Sequence, residues 1–473
     1  NPLSNCPYID PHLFDSLNDN GHNYFLSQNP YTLNSYATFG EVYYNILSDL
    51  KLIGGLRWTE DRKHFTEIPS EVLVNNWGYP STGVVNQQWD QITGRAALNW
   101  TPKLDFTDQT LIYTSYGHGY KAGGANPPGA VLLVLGGSTE SEQENPVHPL
   151  AFDPEFIDAF EIGTKNTLLD GALTLNGNAF YYNYEGYQIS QIVDRTSINL
   201  NFDAHIKGAE LEATWEPIPG LRFNFSGGYE DTRLADGSKA IDLMDRTAGR
   251  TDWVMFKPYV TQASNCVLPA YVGKYLLIVA GFQIPDACGN AYIAHVDPLT
   301  YLQYDGPPGT SSNGTPIPDY PGFDPLAGTA DDPYTGQHIF DGHDYGPAPH
   351  NGAGFDKDLS GNELPNAPHF TVSVGAQYSM PLSSDWAGTF RTDFYWQDNS
   401  WARVFNDNPY DRIHGYTNLN LALIFTSQSG WQVMLYDKNV FNTTAITGTF
   451  LNSDDTGLTT NVFLTDPKLI GIR

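Results

Sequence analysis

The stretch from Leu221 to Glu230, which reads LRFNFSGGYE, decides the fold class. Its odd-numbered positions hold leucine, phenylalanine, glycine and tyrosine, whereas its even-numbered positions hold arginine, asparagine, serine, glycine and glutamate. Side chains alternate across a β-strand, so this pattern predicts a strand with one apolar face and one polar face. Such a strand suits a boundary between lipid and a polar interior, where about 9–11 tilted residues cross the bilayer.

The same alternation recurs along the chain and predicts thirteen strands. They lie near residues 35–46, 50–63, 88–101, 109–121, 155–166, 172–186, 203–215, 220–233, 367–380, 386–399, 414–427, 430–441 and 467–473. Tight turns alternate with long connections, which are 64–87, 122–154, 187–202, 234–366 and 442–466. Short turns at one rim and long loops at the other are typical of a transmembrane barrel, whose backbone groups are satisfied by closure. The sequence therefore predicts an all-β, antiparallel transmembrane β-barrel.

Composition agrees with a barrel wall and excludes other classes. Aromatic residues make up 14% of the chain and charged residues 16%, against about 25% charged in an ordinary soluble domain. The sequence has no apolar run near the roughly 18 residues of a membrane helix. A net charge of −29 argues against nucleic acid as a partner. Acidic stretches such as 324–332 are expected to be solvated loops, with sites for calcium or for cations bridging lipopolysaccharide as the alternative.

Few residues carry reactive chemistry. Cys266 and Cys288 lie in one long irregular segment, and an oxidising exterior would permit a disulfide between them. Cys6 is left over, either unpaired or paired upstream. The sequence holds no catalytic or metal-ligating residues at a fixed spacing, so we expect no enzyme, no cofactor and no metal site.

Seven segments, in one order along the chain, resemble the C-terminal part of TonB-dependent outer-membrane receptors. They are 36–41 (YATFGE) with 52–61 (LIGGLRWTED), 111–127 (LIYTSYGHGYKAGGANP), 154–165 (PEFIDAFEIGTK), 207–212 (KGAELE), 359–368 (LSGNELPNAP), 439–441 (NVF) and 466–468 (DPK). Each segment alone is a weak signal, but the set covers nearly the whole sequence in the family's order.

The resemblance implies a 22-stranded barrel with an N-terminal plug domain and a segment that contacts TonB. Residues 1–473 would then be a partial barrel, about 13 of 22 strands, with 234–366 as a long extracellular loop insertion. The plug and the first strands would be absent from this sequence. For the parent protein, the resemblance implies a multi-pass protein of the bacterial outer membrane that imports a scarce nutrient, by default a ferric siderophore or other iron complex. Its expected partners are membrane lipid, lipopolysaccharide, the ligand, and TonB through the missing N-terminal part.

Ligand contacts are expected where strands approach the long loops. Aromatic and cationic side chains together suit a ferric siderophore, an anionic catecholate or a sugar. The candidates are Tyr116, His118, Tyr120 and Lys121 from the fourth predicted strand, and Arg391, Asp393 and Tyr395 from the tenth. The alternative role for these residues is ordinary hydrogen bonding between the barrel wall and the plug.

Two other functions remain open at this point. A passive channel of the porin type would share the barrel but would need no plug and no large external cap. A secreted β-rich glycan-binding or hydrolase module would be soluble without detergent and would carry paired carboxylates in a cleft. The sequence alone does not identify the ligand.

Overall fold

The computed structural model describes residues 31–66, 71–74, 77–78, 84–126, 151–193, 196–257, 265–270, 349–452, 454 and 457–473. Thirteen strands form one antiparallel sheet in which neighbours along the chain are neighbours in space. They are β1 (Tyr31–Asn45), β2 (Leu50–Thr66), β3 (Val84–Trp100), β4 (Gln109–Lys121), β5 (Glu155–Leu168), β6 (Leu173–Val193), β7 (Thr196–Ile218), β8 (Leu221–Leu234), β9 (Phe370–Pro381), β10 (Trp386–Gln397), β11 (Tyr416–Ser427), β12 (Gln432–Lys438) and β13 (Leu469–Ile472).

Each predicted strand corresponds to one strand of this sheet, and the all-β antiparallel prediction is confirmed. Within the described residues, β1 pairs only with β2 and β13 only with β12, so both lateral edges of the sheet are open.

One predicted long loop is wrong. Residues 187–193 of β6 and 196–202 of β7 pair as the two arms of a hairpin that extends past the neighbouring strands. Its paired apolar residues, such as Ile189 with Leu200, explain the extension, because loops from elsewhere in the chain pack on them. A register shift between Tyr184 and Tyr187 marks a bulge where the hairpin begins.

Gly186 makes that bulge possible. Its backbone has φ +68°, a conformation that residues with a Cβ adopt at a cost. A Cβ at this position would lie 2.7 Å from the carbonyl oxygen of Pro154. The Gly186 N–H donates to Asp203 Oδ1 at 2.8 Å, so the extra residue is tied to the facing strand.

The sheet has one apolar and one polar face, because residues directly opposite each other in neighbouring strands share a face. One cross-strand row of the apolar face runs through Leu175, Ala213, Phe225, Val374, Phe394 and Leu419. The adjacent row of the polar face runs through Asn176, Glu212, Ser226, Ser373, Tyr395 and Asn418. The apolar face also holds Leu173, Ala179, Tyr181, Phe223, Leu421 and Leu423.

The long connections carry their own short elements beyond one rim. Paired strands are Glu71–Val74 with Trp77–Gly78, Gly124–Ala125 with Ala151–Phe152, Lys239–Ile241 with Asp356–Asp358, Trp253–Phe256 with Cys266–Pro269, Ser400–Trp401 with Arg412–Ile413, and Ile446–Leu451 with Thr460–Leu464. Within the described residues, 3-10 turns occupy Pro349–Gly352 and Pro409–Asp411. No helix in the described part of the chain has the length and apolarity that a membrane span requires.

The buried hydrophobic residues lie in these connections and in the strand ends that meet them, not along the sheet. Phe202 and Leu234 at the strand ends pack with Leu359 and Leu364 from the connection between β8 and β9, and with Phe405 from the connection between β10 and β11. A single-layered sheet has no second layer to bury its side chains against. The tertiary core therefore forms where connections fold back over the sheet; we refer to the described parts of 235–369, 398–415 and 439–468 as the cap.

An arginine on the apolar face should destabilise the barrel far more than one on the polar face. Phe225→Arg should lower the free energy of unfolding in lipid by about 2–4 kcal/mol near the membrane midplane. Ser226→Arg is the matched control, because residue 226 lies opposite Glu212 on the polar face. This substitution should change the free energy of unfolding little. Urea titration of the full-length protein in vesicles measures both; equal effects would contradict the assignment of faces.

Candidate functional site

Strand β10 presents a polar group on the polar face. Arg391 donates to both carboxylate oxygens of Asp393, two residues along the strand, at 2.7 and 2.8 Å. Tyr395 follows on the same face, donates to Gln397 Oε1 at 3.0 Å, and lies beside Tyr416 with ring centroids 6.0 Å apart. The strand's alternation thus places a planar cation, a carboxylate and a phenol in one line leading toward the cap.

Lys121 ends β4 and lies beside Glu155, the first residue of β5. Its ammonium is 3.5 Å from Glu155 Oε2, and the same carboxylate accepts the backbone N–H of Gln188 at 2.9 Å. Gln188 in turn donates to the carbonyl oxygens of Ala122 and Asp153. Lys121 is therefore held at the point where the chain leaves the sheet for the connection between β4 and β5.

The register separates Tyr116, His118 and Tyr120 from the rest of the predicted site. These residues pair with Phe160, Asp158 and Phe156 of β5, and the row through Tyr116 and Phe160 continues to Tyr181 of the apolar face. Asp158 accepts from Tyr116 at 2.6 Å and contacts His118 Nδ1 at 2.8 Å. Lys121 belongs to the opposite face, so the structure does not bring these four residues together as one group.

The cap contains a charged network that the sequence did not predict. Asp242, with 1% of its surface exposed, accepts from Arg403 at 2.7 Å and from Lys357 at 3.1 Å. Arg403 also binds Asp411 through Nε and Nη2, and Lys357 also contacts Asp245 at 3.0 Å. Residues more than 100 positions apart in the sequence thereby join two connections of the sheet.

The protonation states of this network follow from its contacts. Burial lowers the pKa of Lys357, but hydrogen bonds to Asp407 and Asp245 and the charge of Asp242 outweigh it, so its pKa lies above the ordinary value. Burial raises the pKa of Asp245, but hydrogen bonds from Lys357, Thr247 and the Gly249 backbone outweigh it, and its pKa is lowered. Both groups are therefore charged at neutral pH, and their attraction holds two parts of the connection between β8 and β9 together.

A second buried contact lies within the cap and joins the connection between β8 and β9 to that between β12 and β13. Arg246 pairs with Asp454, and their side chains are 1% and 0% exposed. Arg246 also donates to the carbonyl oxygen of Ala353 at 2.7 Å, and Asn265 donates to Asp454 Oδ1 at 2.9 Å. Three connections thus form one body, because each shares a buried ionic contact with another.

Cys266 lies beside this contact, is fully buried and is disulfide-bonded. Cys288 and Cys6 lie outside the described residues, so the Cys266–Cys288 pairing stays a prediction. Among the described residues, no cluster of three or more histidine, cysteine, aspartate or glutamate side chains has the arrangement of a metal site.

The chain was compared with protein families and solved structures. The family of TonB-dependent receptor-like β-barrels matches residues 8–284, which is more than half of the sequence. The chain belongs to this family. Family members are receptors and transporters of the outer membrane, not enzymes. A comparison with curated protein sequences found no match.

Three solved structures share the fold of this receptor-family chain at low identity. The ferric yersiniabactin uptake receptor of Yersinia pestis matches with a TM-score of 0.54 and 14% identity, over 93% of this chain and 45% of that one. The siderophore receptor PiuA of Acinetobacter baumannii matches with a TM-score of 0.51 and 15% identity, over 93% of this chain and 42% of that one. The ferric-catecholate import receptor Fiu of E. coli K12 matches with a TM-score of 0.50 and 13% identity, over 93% of this chain and 44% of that one. The chain therefore spans less than half the length of these receptors.

Breaking the buried pair of Arg246 and Asp454 should release the connection between β12 and β13 from the rest of the cap. Arg246→Met leaves Asp454 buried without its cation, which costs about 3–5 kcal/mol. Hydrogen exchange should show protection lost in residues 439–452 and 349–358, and the double variant Arg246→Met/Asp454→Leu should recover part of it. Arg222→Met is the control, because its 3.8 Å pair with Glu216 is exposed and contributes at most about 1 kcal/mol. Equal loss of protection in both single variants would contradict the role of Arg246.

Proposed function

We propose that this chain is the ligand-capturing barrel portion of a TonB-dependent receptor that imports a scarce nutrient, namely a ferric siderophore or another iron complex. The family match over residues 8–284 carries the proposal. The fold shared with three receptors supports it, although at 13–15% identity these likenesses concern the fold alone. No catalysis is involved; the protein binds and translocates its ligand.

The division of the sheet into two faces supports a multi-pass position in the outer membrane. The apolar face meets lipid, and the polar face lines a lumen in which a plug domain sits. A barrel of about 22 strands is wide enough to need a plug, and the outer membrane offers no nucleotide or ion gradient. In this proposal, energy reaches the plug through TonB.

Within this proposal the candidate residues take two roles. Lys121, Arg391, Asp393 and Tyr395 line the lumen and contact the ligand or the plug. Tyr116 and His118 belong to the aromatic belt at the outer boundary of the membrane, where aromatic girdles lie, and meet lipid or lipopolysaccharide headgroups. Tyr120 has a buried hydroxyl beside Asp61 and takes neither role. The Cys266–Cys288 disulfide would brace the extracellular insertion, 234–366.

Uptake should depend on TonB, whereas binding should not. We expect the full-length receptor to bind a ferric siderophore equally in strains with and without TonB, and to import radioactive iron only where TonB is present. A deletion strain that lacks the receptor serves as the control for other uptake routes. Equal import rates with and without TonB would refute the proposal in favour of a passive channel of the porin type.

Removing the charge of Arg391 should weaken ligand binding. Arg391→Met should raise Kd for an anionic ferric siderophore at least about tenfold, because a charge-assisted hydrogen bond contributes about 1.5–3 kcal/mol, and 1.4 kcal/mol is a factor of about ten. Lys51→Met is the matched control: Lys51 is exposed on the same polar face, but at the tight-turn end of β2. Titration of the purified full-length receptor by tryptophan fluorescence measures both; an unchanged Kd for Arg391→Met would remove Arg391 from the ligand site.

A further inference from the structure

A cavity of about 280 Å³ lies between the β6–β7 hairpin and the cap. Four segments of the chain each supply part of its wall: Leu200 comes from the hairpin, Ala240 from the connection between β8 and β9, Ala402 from that between β10 and β11, and Phe450 from that between β12 and β13. The cavity therefore exists only in the assembled tertiary structure, and it lies apart from the β10 group described above.

The lining of the cavity suits an uncharged, apolar ligand. Phe202, Phe405 and Phe450 supply aromatic surface, and most of the other lining residues are aliphatic. Arg403 is the charged member among the described lining residues, but it is already engaged by Asp411 and Asp242 and lies over the ring of Phe405 at 4.9 Å. An anionic group would have to displace two carboxylates from Arg403, so the cavity disfavours charge of either sign.

The volume of the cavity sets the size of the ligand. A dry cavity of about 150 Å³ lined by aliphatic and aromatic side chains binds benzene, and pockets for whole drug-sized molecules begin near 300 Å³. The 280 Å³ measured here accommodates one ring system with a short substituent but not an entire metal chelate. Ser190 and Ser197 in the lining are exposed, so the cavity reaches solvent beside them.

We propose that this cavity binds a neutral aromatic ring carried by the imported complex, while the charged, metal-bearing remainder stays in solvent beside Ser190 and Ser197. Charge outside the cavity keeps its hydration, and the ring gains contact with three phenylalanines, which stabilises the complex without a charge partner. The proposal rests on the proposed function only in naming the imported complex as the source of the ring.

The ionic network of the cap makes the cavity a preformed site. Asp242 binds Arg403 and Lys357 next to Ala240 and Leu243, while the Arg246–Asp454 pair fixes the segment that follows Leu451. Two walls that come from different connections are thus held in place by buried charges. The cavity walls therefore lose little conformational entropy when a ring binds, and preorganisation of this kind strengthens binding.

The first test is crystallographic and uses 4-bromobenzyl alcohol as the probe. Crystals of the full-length protein soaked in this neutral compound should show an anomalous bromine peak among Phe202, Phe405 and Phe450. The absence of a peak in the cavity would overturn the proposal.

The second test measures binding in solution by fluorine NMR with 4-fluorobenzyl alcohol. Ala402→Leu fills the cavity and should weaken binding at least tenfold, and Thr449→Leu serves as a second filling variant should the first fail to fold. Ala387→Leu is the matched control, because Ala387 is exposed at the tight-turn end of β10 and should leave binding unchanged. A bromine peak in the crystal with equal solution binding by the wild type and the filled variant would mean binding at crystal concentration only, and would overturn the proposal.

These measurements need neither TonB nor transport, so their outcome is independent of the uptake experiment. Ring binding without TonB-dependent import would refute the proposed function and leave the cavity assignment intact. TonB-dependent import without ring binding would refute the cavity assignment alone.

Discussion

Backbone pairing between neighbouring strands is the interaction on which the rest of this structure depends. Each inner strand of the sheet pairs its N–H and C=O groups with a strand on either side, and the edge strands β1 and β13 pair on one side. This pairing requirement fixes the up-and-down order of β1 to β13. Because lipid offers no hydrogen bonds, the same requirement excludes irregular backbone from the membrane-facing wall. Irregular segments and the buried core are therefore displaced to the rim, where Phe202, Leu359 and Phe405 meet.

Ion pairs between charged side chains hold the connections together at that rim. Lone charges buried among apolar groups are costly, but paired charges with hydrogen bonds are tolerated. In the cap, two such pairs join different connections, and a third lies within the connection between β8 and β9. Asp242 binds both Arg403 and Lys357, and Arg246 binds Asp454. These contacts convert flexible connections into a body with fixed walls. The same contacts neutralise Arg403, and this gives the neighbouring cavity its apolar character.

The two faces and the cap divide the functional work. In the proposed function the apolar face meets lipid. The polar face carries Arg391, Asp393 and Tyr395 in register with the polar rows of neighbouring strands, and these residues lead toward the cap. A ligand with a charged centre and an aromatic appendage would find complementary surfaces in two separate places. The ligand would then be bound by side chains of the β10 strand and of the cap together, not by one sequence motif.

The sequence by itself determined the strands, their order and their faces, because alternation along a strand is a local property: the residues around Phe225 disclose both surfaces without reference to any partner. The family, too, could be recognised from local segments such as KGAELE at 207–212. The sequence could not determine which distant residues meet. Tyr116 and Lys121 differ in face because register places them so, the 187–202 hairpin extends because loops pack on it, and Arg246 finds Asp454 across some 200 residues. These contacts depend on how the connections fold back over the sheet, and only the tertiary structure decides that.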